Sequence, residues 1–345
     1  MHRTPPIFFY NPSWAPGAEA DGDGGHRWRA GNWVWTVKTA RILASLGTPC
    51  TVVDEMPAAG IVFAHRNQLP DTLQPGPERL LACLVADATR HPFAQVHVFQ
   101  NPADPALARP SAIWPSAYVP HWPESDLVPR DPARGDAFVN VSYFGLEDRL
   151  APELRRDAWR AHLQRLGLAW RIVPRDRWHD YADTDAVVAV RRFDRRPRHQ
   201  FPASKLYNAW IAGVPAILGA ESAYRAARTS PLDFVEVGTP ADVARALQAL
   251  QRDPELRRAM AAHGRRRAAE VAIPVIARRW QELLARVAIP SYERWRAAGA
   301  AARRAFLRRR AFAYRCYQLR EAAQRLPNAG ARAAAGLARL YAPEP

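Results

Sequence analysis

Lys205 and Asn208 stand three residues apart, and on a helix two such side chains leave from one face. A lysine in the first helical turn is opposed by the macrodipole, so its placement there points to an anionic partner. The plainer alternative is a solvated Lys and a surface Asn. Arg191 directly follows the apolar run 186–190. A guanidinium at the carboxyl end of a parallel strand can grip a diphosphate through two hydrogen bonds, although Arg191 and Arg192 equally suit a charged surface loop. Glu221, Ser222 and Ala223 open a helix just after Gly219. Free amides at a helix start bond anionic oxygens, while an acid there is also an ordinary partner of the dipole. His65 follows the run 61–64 and His121 follows Tyr118-Val119-Pro120. Each is a base or sugar contact if it faces a cleft, and a structural or solvated histidine otherwise. Gly24-Gly25 lies in a Gly- and Asp-rich loop that can bring backbone amides to an anion, but no G-x-G-x-x-G is present. The two D-x-D strings, at Asp21 and Asp23 and at Asp183 and Asp185, read as turn chemistry. The second precedes its strand instead of following it, so no metal is expected.

The segment 201–219, FPASKLYNAWIAGVPAILG, must position most of these groups. Ser204 is a cap candidate. The spacing predicts a helix over 205–212, with Leu206, Ala209, Trp210 and Ala212 on its apolar side. Gly213 can end it at positive φ. Pro215 then forces Val214 to be extended, and 216–218 is a short buried strand that stops at Gly219.

The string KLYNAWIAGVPAILG resembles the donor-site segment of GT-B glycosyltransferases, which often read K-[LI]-x-E-x-x-A-x-G-x-P-V-[IV]. The resemblance implies that Lys205 meets the phosphates of a nucleotide-sugar donor, and that Asn208 stands where a Glu holds the ribose hydroxyls. Gln200 lies eight residues before Asn208, at the spacing of the two Glu that retaining members often carry. Two carboxamides here replace two carboxylates; an amide can bond a hydroxyl but brings no charge. The core of the match covers fewer than twenty residues.

At 345 residues and 48% hydrophobic composition, the chain suits two ordinary domains with real cores. Three scattered Cys exclude a disulfide framework and a zinc site. The N-terminal stretch lacks an apolar segment of signal-peptide length, and no run approaches a membrane span. A cytoplasmic protein is therefore expected.

Short apolar runs at 7–10, 51–53, 61–64, 80–85 and 95–100, with a helix at 33–46, read as one parallel α/β series. A Pro-rich link covers 101–136. A second series begins at 138–143 and adds a helix at 152–166, strands at 170–173, 186–190 and 234–237, and helices at 240–252, 254–270 and 273–288. The fold class is therefore α/β, and the resemblance implies two Rossmann-like domains facing a central cleft. It further implies an acceptor-side domain at 1–120 and a donor-side domain at 121–288, followed by a basic helical extension at 289–345. The resemblance implies a metal-independent glycosyltransferase with no cofactor, in which the nucleotide-sugar is a co-substrate and the acceptor a glycan or lipid-linked glycan.

The net charge is +16 with a pI near 10.7, and residues 291–345 hold twelve Arg against three acids. A nucleic-acid-binding protein is the alternative this charge raises, but no helix-turn-helix, zinc-finger, RRM or KH signature accompanies it. Phe306, Leu307, Tyr314 and Tyr317 fall near one another on a helix, interleaved with Arg. That is the pattern of an interfacial helix at an anionic membrane surface, or of a helical hairpin packed on the second domain with its Arg in water.

Overall fold

The computed structural model describes residues 4–15, 31–108 and 115–325. Two parallel sheets follow one another along the chain. The first has the order β2-β1-β3-β4-β5-β6. Its strands are β1 (Ile7–Tyr10), β2 (Thr51–Val53), β3 (Gly60–His65), β4 (Arg79–Leu84), β5 (Val96–Phe99) and β6 (Ser116–Tyr118). The second has the order β11-β10-β9-β7-β8. It is built from β7 (Asn140–Phe144), β8 (Ala169–Val173), β9 (Ala186–Ala189), β10 (Ala216–Gly219) and β11 (Val235–Val237). β3, β9 and β10 are buried at every residue. This is why they appear in the sequence as unbroken apolar runs without alternation. The pair of parallel α/β halves is the fold class expected.

Strand order reverses between β1 and β3 in the first sheet and between β7 and β9 in the second. Connections leave such a point toward opposite faces and open a crevice at the carboxyl ends of the strands. Asn11 and His65 border the first crevice, and Gly145 and Arg191 the second.

The first helix runs from Gly31–Trp33 through a π-turn, Val34–Lys38, into Thr39–Ser45. The described part of the linking segment is anchored by burial. Trp122 is fully enclosed and its indole Nε1 donates to Thr39 Oγ1 at 2.8 Å. Some local expectations shift. Ser204 is the first helical residue and does not cap; Ala203 occupies that boundary without a side-chain bond. The helix expected at 152–166 breaks at Arg156, whose ψ is 146°, into Pro152–Arg155 and Asp157–Arg165.

The helix Ile273–Leu283 leaves the second sheet and packs on the first. Its Trp280 is fully buried, with its ring edge-on to Phe9 at 5.8 Å and to Phe63 at 5.6 Å. It passes through a second π-turn, Leu284–Ala288, into Ile289–Ala297. Pro290 has no amide to give the helical ladder, which accounts for the widened turn ahead of it. The chain then enters Ala300–Arg325. Trp295 Nε1 donates to Gly76 O at 2.8 Å and its ring meets Phe306 at 5.1 Å. Arg310 is fully buried, and its guanidinium donates to Ala94 O. The hairpin therefore covers the first domain, not the second.

Candidate functional site

Lys205 enters the gap between the sheets from the first turn of Ser204–Ala212. Its Nζ lies 5.6 Å from the centre of the Tyr143 ring, and the ammonium makes no hydrogen bond among the described residues. Burial, and then the charge of Arg191, bring its pKa down to about 8 against the opposing pull of Glu221 and Asp87. A half-buried ammonium repelled by a guanidinium gains from an added anion.

Arg191 stands at the end of β9. Its guanidinium pairs with the Glu221 carboxylate and lies 4.0 Å from the centre of the Phe201 ring. Burial opposes its charge, but Glu221, Tyr224, Tyr143 and Asp87 outweigh that and hold the guanidinium protonated. The pair leaves Glu221 Oε1 buried with no hydrogen-bond partner among the described residues. Across the gap, Asp87 follows β4 in the left-handed region at φ 53°. Its amide donates to Gln200 O at 3.1 Å, which ties the two halves together beside the site. Asp87 is itself exposed, but the protein packed around it still raises its carboxyl pKa against the pull of Arg191, Lys205 and Arg149. Lys205, Arg191, Glu221 and Asp87 thus form one charge cluster at facing carboxyl edges of the two sheets.

Gly145 makes this arrangement fit. A Cβ there would come within 2.6 Å of the Tyr143 hydroxyl and 3.2 Å of Lys205 Cε. Tyr143, whose hydroxyl donates to Leu146 O at 3.1 Å, and Lys205 occupy the space a side chain would take.

The two histidines differ in tautomer. His65 Nδ1 accepts from the Asn67 amide at 3.2 Å, so the neutral ring carries its proton on Nε2, which is directed toward Gly31. It can donate to a ligand but cannot take a proton there. His121 Nδ1 faces Trp122 O at 2.5 Å. A carbonyl only accepts, so Nδ1 carries the proton and Nε2 keeps its lone pair. Burial lowers both pKa values to about 4; at His121 the charges of Lys38 and Lys205 add to the effect. Both rings are therefore neutral near pH 7.

The other predicted residues have different surroundings. Asn208 is buried, and its Oδ1 accepts from the Glu124 amide at 3.1 Å, so it holds the interdomain link. Gly219 lies inside β10, where a Cβ would press on Val190 Cγ1 at 3.2 Å; its role is close strand packing. The Glu221 amide donates to Gly219 O at 2.8 Å and the Ser222 amide to Pro197 O at 3.1 Å. Neither amide is free for an anion, which differs from the expectation for Glu221 and Ser222. Ser222 Oγ instead accepts from Asn101 Nδ2 at 2.9 Å, a further bridge to the first domain. Arg192 is exposed. Gly24, Gly25, Asp21 and Asp23 lie outside the described residues. Asp185 accepts from Arg130, Arg134 and the amides of Val139 and Asn140, while Asp183 pairs with Arg171. Among the described residues no group of three or more His, Cys, Asp or Glu side chains is placed to hold a metal ion.

Sequence reasoning missed Asp87, Tyr143 and Gly145. Gly145 follows directly on a strand end, and Asp87 lies three residues past one, so the carboxyl-edge rule that picked out Arg191 would also have flagged both.

Residues 148–285 match the model of a family described as glycosyl transferase-like. No curated protein matches the chain. Among solved structures, HepE from Anabaena in complex with UDP is 12% identical, with a TM-score of 0.48, over 81% of this chain and 99% of its own. Sucrose-phosphate synthase from Thermosynechococcus elongatus is 13% identical, with a TM-score of 0.47, over 82% and 99%. AviGT4, a glycosyltransferase involved in avilamycin A biosynthesis, is 17% identical, with a TM-score of 0.43, over 81% and 98%.

Proposed function

We propose that the protein moves a sugar from a nucleoside-diphosphate donor to an acceptor hydroxyl, a reading supported by the match of residues 148–285 to a glycosyl transferase-like family. The observation that carries the reading is the placement of Lys205, with no hydrogen bond of its own among the described residues, beside Arg191 at the carboxyl edge of the second sheet. In such a transfer the bond from the sugar's anomeric carbon to the diphosphate oxygen breaks, and the electron pair leaves with the nucleoside diphosphate. A bond from the acceptor oxygen to the anomeric carbon forms, and the acceptor loses its proton. Fixed cations lower the barrier where negative charge develops. Lys205 would meet that charge directly. Arg191, tethered by Glu221 and stacked on Phe201, would supply a second, rigid positive group. In this reading the two cations do the work a metal ion does elsewhere, and transfer proceeds without one.

His121 Nε2 is the histidine nitrogen that can accept the acceptor proton, directly or through water; His65 Nε2–H can only donate to a hydroxyl. The acceptor in this reading is a glycan or lipid-linked glycan entering from the first domain. A thermal-shift screen with UDP, GDP, ADP, CDP and TDP tests the donor half. One of them should raise the melting temperature in proportion to the logarithm of its concentration, with about 2.7 kcal/mol of stabilisation at a hundredfold excess over Kd. A flat response to all five would count against the reading.

A further inference from the structure

The last described helix, Ala300–Arg325, presents two different faces. Phe306, Tyr317, Arg310, Arg303, Tyr314 and Leu307 share one side, within an arc of about 100°. The contacts on this side are internal. Phe306 meets Trp295, Arg310 donates to Ala94 O, and Tyr314 donates to Asp71 Oδ2 at 2.9 Å. Tyr314 is therefore bonded to the first domain, and Phe306 packs on the preceding helix. The opposite side carries Arg304, Arg308, Phe312, Arg315 and Leu319, which fall within an arc of about 80°. All five are exposed, Phe312 at 52% and Leu319 at 65%. No acidic residue occurs between Ala300 and Leu319 to neutralise this stripe.

We propose that this outer stripe is a membrane-surface site, in which Arg304, Arg308 and Arg315 meet anionic lipid headgroups while Phe312 and Leu319 enter the boundary beneath them. A helix lying in the interface needs basic and apolar side chains on the same outward arc, and these five residues supply both. A nucleic acid would satisfy the arginines, but its phosphates give Leu319 nothing. No described helix is long and apolar enough to cross a membrane, so the contact is peripheral. The inference rests on the helix alone and is independent of the transferase reading.

Co-sedimentation of the full chain with vesicles at low salt tests it. One set is phosphatidylcholine alone, the other an equimolar mixture with phosphatidylserine. The protein should pellet with the mixed vesicles and stay in solution with the neutral ones. Each Arg near an anionic surface is worth about a fivefold change in partitioning, so R304Q/R308Q/R315Q should bind about a hundredfold more weakly. F312S/L319S should also lose binding, although its charge is unchanged. All five positions are exposed, so unchanged melting temperatures should confirm that both variants fold. Failure to pellet with mixed vesicles, equal pelleting with neutral ones, or wild-type binding by either variant would overturn the proposal. So would tight binding of polyuridylate that F312S/L319S leaves intact while vesicles are ignored, which would make the stripe a nucleic-acid site.

Discussion

Lys205 titrates near pH 8 in the folded chain and near 10.5 when unfolded. Between those values the unfolded chain binds the extra proton, so the contribution of Lys205 to stability rises with pH across that window. A bound diphosphate works in the other direction, because it favours the ammonium. Affinity for a nucleoside diphosphate should hold below pH 8 and then fall by up to about tenfold per pH unit above it. Lys205→Arg should abolish the breakpoint, since a guanidinium does not titrate there. Lys38 also lies near pH 8, but it remains in that variant. A breakpoint that survives in Lys205→Arg would therefore assign the titration to Lys38 or elsewhere and remove Lys205 from the phosphate site. Arg191 is a different kind of cation. Its charge is already matched by Glu221, so it is suited to hold shape and field more than to capture a ligand.

At the scale of elements, the ends of strands and helices decide which residues meet. Gly145 ends β7 with no room for a side chain, and the atoms in the way, the Tyr143 hydroxyl and Lys205 Cε, are the far ends of side chains. Gly145→Ala should therefore cost little in urea stability, on the order of 1 kcal/mol, yet weaken nucleotide binding about tenfold or more by displacing Lys205. Unchanged binding with unchanged stability would show that the two side chains adjust without consequence. Several of these ends were legible beforehand. Gly213, expected to end its helix at positive φ, sits there at φ 70°. Lys205 and Arg191 were legible because strand ends and helix starts are local signals. The bond from the Glu124 amide to Asn208 was not legible, because the partner lies 84 residues away and no spacing reveals that. The burial of Arg310 was not legible for the same reason: its partner is the distant carbonyl of Ala94.

The whole molecule works by bringing two carboxyl edges together. Each sheet alone offers only part of the cluster, with Asp87 on one side and Arg191, Lys205 and Glu221 on the other. Two bonds cross the gap, the Asp87 amide to Gln200 O and Asn101 to Ser222, and a third, the Glu124 amide to Asn208, pins the linking segment beside them. Trp280 anchors the return helix in the core of the first sheet and so ties both halves to one chain end. The division into halves was legible from two successive strand series. The return was not, since a helix of this composition could cover either sheet. The central claim is that this shared cleft holds the diphosphate of a nucleotide-sugar donor on Lys205. Calorimetric titration of UDP, GDP, ADP, CDP and TDP into the wild type, Lys205→Ala and the surface control Arg192→Ala tests it most directly. A charged hydrogen bond is worth about 1.5–3 kcal/mol. The account therefore predicts that at least one nucleotide binds the wild type, that Lys205→Ala weakens it by about 10- to 150-fold, and that Arg192→Ala leaves it unchanged. Binding of none of the five, or equal affinity in Lys205→Ala and the wild type, would contradict it.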